Sequence, residues 1–219
     1  MSRLASAWLN SEYADAEALI TLHETGGELS DTCLLVARLP VHRLILAAAS
    51  PYFAALFERW AQRHHDTCER PACVLHVTAP EDVPAAVALL RCCYTGTFED
   101  LVQSGSSAPT LLLAPAGHNK GGTCGIDAAS SGPAAAATCW QQLAVRTLVL
   151  ADRLDVAGVA ESCVSALSGR LFAHQMEWEC AMAALWLLPE PLAHQQMVAP
   201  LRRMAQVRIA RDAAGTAAP

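Results

Sequence analysis

The side chains best suited to chemistry lie in a polar segment, QRHHDTCERPAC, at residues 62–73. His64, His65, Cys68 and Cys73 offer imidazole nitrogens and thiolate sulfurs, which are ligands that zinc prefers. Their spacing matches no standard zinc pattern, and no second pair of ligands follows nearby. A solvated loop is therefore the favoured interpretation, and the sequence predicts no metal ion or other cofactor.

Other groups that could take part in catalysis lack the motifs that their chemistry requires. His42 could act as a base, but it follows a predicted strand among apolar residues, which favours a structural role. No serine lies in a GxSxG elbow. The glycine-rich run at 117–125 is not a GxxxxGK[ST] phosphate loop between a strand and a helix. The chain is therefore not expected to be an enzyme.

Composition narrows the class of protein. The net charge of −6 and the pI of about 5.7 argue against a broad basic face for nucleic acid. No apolar run is long enough for a membrane span, and the first residues do not resemble a secretory signal. The nine cysteines include no CxxC pair, and Cys33, Cys92, Cys93 and Cys163 fall in apolar segments where we expect buried, reduced thiols. We therefore expect a soluble protein of the cytoplasm or nucleus.

The elements that position these side chains begin with a helix predicted over residues 12–25, where Ala16, Leu19, Ile20 and His23 recur at helical spacing. The pattern alone indicates a helix that packs on its own domain.

Two strands and two helices are predicted next. The apolar run Cys33–Val36 and the residue Val41 indicate two short strands joined by a tight turn, followed by a helix over His42–Ala49. Ser50 and Pro51 then begin a second helix, because serine accepts hydrogen bonds from first-turn amides and the fixed φ of proline suits that turn. The apolar face of this helix, which must be buried, contains Phe53, Leu56, Phe57 and Trp60.

Beyond residue 73 the pattern alternates between ordered and irregular segments. A strand is predicted at Val74–Val77, then a helix from Pro80 with a core stripe and a stop at Thr95-Gly96, then a short strand at 97–99. The stripe contains Val83, Val87, Leu90 and Tyr94. Residues 103–139 hold six of the twelve glycines and little charge, which indicates a flexible insertion.

Two further helices follow this insertion. Their apolar faces begin at Trp140 and Val156, with Asp155 as the predicted cap of the second helix and Gly169 near its end. Residues 171–219 then indicate another helix pair.

Several short motifs, in this order, resemble the BTB/POZ domain. They are Asp31, Val41-His42, Ser50-Pro51-Tyr52-Phe53, Leu56-Phe57-Glu58, Tyr94-Thr95-Gly96 and Leu148–Val156. The resemblance spans roughly residues 15 to 170, apart from the insertion, and implies an α+β fold with a small sheet flanked by helices. The organisation it implies is an N-terminal dimerisation helix region (1–30), a BTB/POZ core (31–102 and 140–170), the insertion (103–139) and a truncated BACK-like or 3-box extension (171–219).

The resemblance also implies roles for particular residues. Leu19 and Leu22 would lie in a homodimer interface, and His42 would be a structural residue near Asp31. An exposed Met and Trp face in residues 171–219 would pack on the core or bind a partner.

Many BTB proteins are homodimers that dock cullin-3 and present a substrate protein to a ubiquitin ligase. The surface they use for cullin corresponds here to Tyr52, Leu56, Phe57 and Glu58, with Tyr94 near its edge. The usual apolar-x-Glu sequence after this helix is replaced by Ala61-Gln62-Arg63, a charge reversal of the kind that excludes a partner. The resemblance therefore favours a cullin-3 adaptor, with a self-associating scaffold as the alternative.

Overall fold

The computed structural model of the chain describes residues 3–23, 33–63, 70–98 and 140–172, together with isolated positions between 198 and 210. Within these ranges the chain forms a 3-10 helix, three strands and five α-helices. Their bounds are Arg3–Ala7 (3-10), Ala16–His23 (β1), Cys33–Val41 (β2), Arg43–Ala49 (α1), Pro51–Arg63 (α2), Ala72–Val77 (β3), Asp82–Thr95 (α3), Trp140–Arg153 (α4) and Ala157–Phe172 (α5). None of these helices is both long and apolar enough to cross a lipid bilayer.

β1 is the middle strand of a three-stranded sheet with the order β2-β1-β3. It pairs antiparallel with β2 and parallel with β3. Side chains alternate between the two faces of a strand, and those of Ala16, Ala18 and Ile20 are fully buried. The other face of β1, which begins with Glu17, is only partly covered. The small sheet and the helices around it confirm the predicted α+β class.

The helix predicted over residues 12–25 is wrong, because Ala16–His23 forms β1. Every second residue from Ala16 to Leu22 is apolar, so the segment fits the period of a strand as well as that of a helix. Pairing with strands on both sides, which a local pattern does not reveal, decides between them. As a consequence, Leu19 and Leu22 lie on opposite faces of a strand, whereas on a helix they would share one face.

β2 is one continuous strand, so the prediction of two short strands joined by a turn is also wrong. Pro40 lies inside this strand, opposite Glu17 of β1. Within the described sheet β2 is an edge strand, where a residue without an N–H group is tolerated. Pro40 therefore does not interrupt the strand.

A β-bulge divides β2. Ile20 faces Ala37 across the pair, whereas the next residue, Thr21, faces Leu35, so Val36 has no Cα partner on β1. β2 is therefore one residue longer than β1 over their paired length, and such an extra residue increases local twist.

β3 and the helices α1 to α3 confirm the predicted elements. The predicted stripe of α3, from Val83 to Tyr94, is buried. The helix ends at Gly96, whose φ of 78° is left-handed and whose amide donates to the carbonyl of Cys92 at 2.8 Å. The short strand predicted at 97–99 is wrong for its described residues: Phe98 is buried outside any strand and its N–H donates to Ser162 Oγ at 2.7 Å.

α3 packs against the sheet on one side and against α4 on the other, and α4 packs against α5. Arg146 of α4 donates to the carboxylate of Asp82 in the first turn of α3, and both side chains are about four-fifths buried. This ion pair fixes the alignment of the two helices.

The turn between α4 and α5 is a Schellman motif. The N–H of Val156 donates to the carbonyl of Ala151 at 2.8 Å, and the N–H of Asp155 donates to the carbonyl of Asp152 at 3.1 Å. Asp155 has a φ of 51°, in the left-handed region that glycine usually occupies. The prediction that Asp155 caps α5 is therefore wrong, because this residue ends α4. α5 also continues through Gly169 to Phe172, since an interior glycine weakens a helix without ending it.

The described C-terminal residues include two that are buried in the core, Val198 and Leu201. The N–H of Arg202 donates to the carbonyl of Val198 at 3.1 Å, as in a helical turn. This turn therefore packs on the core. The predicted face at Trp178–Trp186 and the insertion at 103–139 lie outside the described residues, and the BACK-like extension stays a prediction.

Candidate partner-binding surface

The hydroxyl of Ser50 connects the start of α2 to the turn that follows α4. Ser50 Oγ accepts from the N–H of Tyr52 at 3.0 Å and that of Phe53 at 3.4 Å, as the sequence predicts. The same hydroxyl donates to the carbonyl of Leu154 at 2.6 Å. Ser50 is buried, so this cap joins the first turn of α2 to the turn between α4 and α5.

The two faces of α2 differ in exposure. Phe53 and Phe57 are buried in the core, whereas Tyr52 and Leu56 are half-buried and Glu58 is exposed. Of the predicted partner-binding residues on this helix, Phe57 is therefore not available to a partner. Its position is that of a core residue, four residues after Phe53 on the same face.

An open groove of about 280 Å³ runs beside the exposed face of α2 and is lined by Leu56, Arg59, Trp60, Arg63 and Ala72. Leu56, Trp60 and Ala72 give it a half-buried apolar surface. Arg59 and Arg63 are exposed, and Arg59 Nε donates to the carbonyl of Ala55 at 3.2 Å. The groove therefore combines apolar contact area with two positive charges.

Tyr94, predicted at the edge of the partner surface, lies in the core instead. Its hydroxyl accepts from the N–H of His42 at 2.8 Å and lies 3.1 Å from His42 Nδ1. Trp8 packs edge-on against the Tyr94 ring, with 5.3 Å between ring centroids. Burial raises the pKa of Tyr94 to about 12. Tyr94 thus holds the start of α1 in place and offers no surface to a partner.

The carboxylate that caps α1 is Asp15, which the sequence did not single out for this role. Asp15 Oδ1 accepts from the N–H of Arg43 at 2.8 Å, and Oδ2 accepts from Arg43 Nε at 2.9 Å. Partial burial raises the pKa of Asp15, but the hydrogen bonds and charge of Arg43 outweigh it and lower the pKa below 3.8. Asp31, the residue expected near His42, lies outside the described residues.

The predicted dimerisation residues do not form one patch. Leu19 lies on the outer face of β1, while Leu22 lies on the inner face opposite Leu34 of β2. Leu34 is 56% exposed and Leu35 is 37% exposed. Within the described sheet, apolar surface therefore lies on β2, which is an edge strand there.

The five described cysteines differ in environment. Burial raises the pKa of Cys73 and of Cys93 to about 12, and raises that of Cys163 as well. Cys33 is exposed, contrary to the expectation that it is a buried apolar residue. Of the four residues in the zinc hypothesis, Cys73 belongs to the core, and His64, His65 and Cys68 lie outside the described residues.

A different set of side chains that could hold a metal ion meets on the outer face of the sheet. One nitrogen or sulfur atom from each of His23, Cys33 and His76 lies within 4.8 Å of the other two. This group could not be predicted from the sequence, because its members are separated by up to 53 positions and only strand pairing brings them together.

Comparison with known proteins agrees with this architecture. Residues 20–115 match the family model of the BTB/POZ domain. This range begins within β1 and takes in β2, β3 and the helices α1 to α3. No curated protein matches the chain significantly. The small sheet with its surrounding helices and the family match together identify residues 20–115 as a BTB/POZ domain, a module through which proteins bind one another.

Proposed function

We propose that this chain is a homodimeric substrate adaptor of a cullin-3 type ubiquitin ligase, and that α2 forms its docking surface. One observation supports this proposal most directly: α2 of a BTB/POZ domain presents Tyr52, Leu56 and Glu58 outward beside an open groove. Cullin-docking members of the family use the corresponding helix. The protein would then act in the cytoplasm or nucleus on a substrate protein.

The groove has the features of a protein-binding site. Leu56 and Trp60 keep part of their apolar surface exposed while the rest of each side chain is held by its neighbours, so a partner buries them at little cost in side-chain entropy. Residues of this kind, in a pocket flanked by polar groups, contribute most of the binding energy in many interfaces. Arg59 and Arg63 add two positive charges, so the charge of the partner at the same place decides whether they favour or oppose docking.

Arg63 is the residue that departs from the cullin-docking pattern. It lines the groove at the end of α2, where an acidic residue is usual. If the cullin surface carries a cation opposite this position, Arg63 weakens docking. Arg63→Glu should then tighten binding by about 10-fold, which corresponds to about 1.4 kcal/mol. Gln62→Glu is the control, because Gln62 is exposed but does not line the groove.

The direct test is calorimetric titration of the full chain with the N-terminal domain of cullin-3, after sedimentation velocity has established the oligomeric state. Leu56→Asp should weaken binding by at least about 10-fold, since it places a charge in the apolar contact. Leu44→Asp is the matched control, because Leu44 is a helical leucine that is 81% exposed on α1. Binding that survives Leu56→Asp unchanged would contradict the proposed surface.

The homodimer is supported by the exposed apolar edge of the sheet. Leu34 and Leu35 lie on β2, which is an edge strand of the described sheet, and a strand edge can pair with a strand from a second copy. Leu34→Lys should shift the protein toward monomer in sedimentation velocity. Leu9→Lys, at an exposed apolar residue outside the sheet, should leave the dimer intact.

The second candidate function is a BTB scaffold that self-associates without a ligase. The exposed sequence Ala61-Gln62-Arg63, in place of apolar-x-Glu, favours it. A dimer that gives no heat with cullin-3, either as wild type or as Arg63→Glu, would support the scaffold over the adaptor.

A further inference from the structure

We propose that His23, Cys33 and His76 form a zinc-binding site on the outer face of the sheet. Two imidazoles and one thiol are preferred zinc ligands, and three protein ligands leave a fourth tetrahedral position for water or an outside ligand. This site is independent of the proposed cullin surface and differs from the zinc hypothesis on residues 64–73. Each of its ligands belongs to a different strand.

The register of the sheet explains how the three residues meet. Cys33 faces His23 directly across β1 and β2. His76 of β3 faces Thr21 of β1, two residues from His23 and on the same face. β1 is the middle strand, so the site bridges all three strands.

The distances between the ligand atoms are close to those of a zinc site. Zinc with tetrahedral ligands at about 2.0 Å for nitrogen and 2.3 Å for sulfur would hold those atoms about 3.3 to 3.6 Å apart. Cys33 Sγ already lies 3.1 Å from His23 Nε2, and the three ligand atoms all lie within 4.8 Å of one another. Cys33 and His76 are exposed, so their side chains can rotate toward an ion without disturbing the core.

The surroundings of His76 resemble the outer shell of a metal site. Its Nδ1 lies 2.8 Å from Thr21 Oγ1, and its main-chain carbonyl accepts from Arg153 Nη2 at 2.7 Å. When Nδ1 donates to the hydroxyl, the lone pair of Nε2 is left for a metal ion. Thr21 thus holds the ring of His76, and Arg153 holds its backbone. Thr21 and Arg153 are positioning residues in this proposal.

Zinc binding requires the thiolate. The Cys33 thiol therefore gives up its proton to solvent when the sulfur–zinc bond forms, while His23 and His76 bind as neutral imidazoles. No oxidation or reduction is involved.

The test uses the full chain and Zn²⁺ or Co²⁺ alone. We expect one additional equivalent of zinc to be retained after gel filtration relative to the Cys33→Ser variant, by elemental analysis. The cobalt form should show a thiolate-to-cobalt charge-transfer band and intense tetrahedral d–d bands, and Cys33→Ser should abolish this charge-transfer band. His76→Ala should weaken zinc binding by at least about 10-fold.

Two controls separate this site from other metal ligands in the chain. The triple variant His64→Ala, His65→Ala, Cys68→Ser should keep the cobalt spectrum, which excludes these three residues as its source. Thr21→Val, which keeps the shape of the side chain, should weaken binding by about 10-fold while preserving the charge-transfer band.

A measurement on the wild-type protein avoids any question of variant folding. Zinc should slow alkylation of Cys33 by iodoacetamide, as measured by peptide mass spectrometry. Unchanged alkylation of Cys33 at saturating zinc, or a cobalt spectrum that survives Cys33→Ser but not the triple variant, would overturn the proposal.

Discussion

Ser50 and Leu154, separated by 104 positions in the chain, are joined by a hydrogen bond of 2.6 Å from the Ser50 hydroxyl to the Leu154 carbonyl. The same oxygen accepts from the first-turn amides of α2. A single buried atom therefore caps the candidate partner-binding helix and satisfies a carbonyl at the end of α4.

Ser50→Ala should destabilise the protein by about 2–3 kcal/mol. The variant loses the cap of α2, worth about 1 kcal/mol, and leaves the Leu154 carbonyl without this donor in a buried place. Urea unfolding followed by circular dichroism measures the change. Ser165→Ala, at an exposed position in the middle of α5, should alter stability by less than about 0.5 kcal/mol. Equal effects of the two substitutions would contradict this account.

Asp155→Gly should stabilise the protein by about 0.5–1 kcal/mol. Asp155 has a φ of 51°, and glycine adopts this left-handed conformation without the steric cost of a Cβ atom. The converse substitution, Gly96→Ala, should destabilise by a similar amount. The space around Gly96 is open, so its cost arises from the backbone conformation alone. Thermal unfolding of the two variants should shift Tm in opposite directions.

The Asp15 carboxylate should make stability depend on acid pH. Because the folded-state pKa of Asp15 lies below its ordinary value of 3.8, its stabilising contribution is fully present above that pH. The contribution is lost as the pH falls through the lower folded-state pKa. Asp15→Asn should therefore be less stable than wild type at pH 7, and the gap should close below about pH 4. Glu12→Gln, at an exposed neighbouring acid, is the control for this profile.

Tyr94 should ionise only in strongly alkaline solution, because burial raises its pKa to about 12. An absorbance titration of tyrosinate should show a late step that Tyr94→Phe removes. Tyr13→Phe should leave this step in place, since Tyr13 is 73% exposed. Tyr94→Phe should also destabilise the fold by about 1–3 kcal/mol, because the N–H of His42 loses its acceptor. A late step that persists in Tyr94→Phe would rule out this assignment.

The helices from α1 to α5 could be predicted from local signals. Ser50 and Pro51 mark the start of α2, and Gly96 marks the end of α3. Each of these signals affects only the residues close to it in the sequence. β1 could not be predicted in this way, because its apolar residues fit two periods and its state depends on two partner strands. The motifs of the BTB/POZ domain gave the overall fold despite this error.

For the candidate surface, too, features set by neighbouring residues could be predicted, whereas features set by contacts between distant residues could not. A helical pattern identified which residues of α2 are apolar, but which of them stay accessible depends on the elements that pack against it. The prediction that Phe57 and Tyr94 are accessible to a partner is therefore wrong, because both side chains are buried. Asp15 and the group His23, Cys33 and His76 were missed because their partners are distant in sequence.

The bulge at Val36 makes β2 tolerant of a lost residue. Elsewhere in a strand, deleting one residue sends every following side chain to the opposite face. Deleting Val36 would instead remove the unpaired residue, leave Thr21 opposite Leu35 and keep Cys33 opposite His23. β2 can therefore lose one residue at the bulge, while every other side chain of the strand stays on the same face of the sheet.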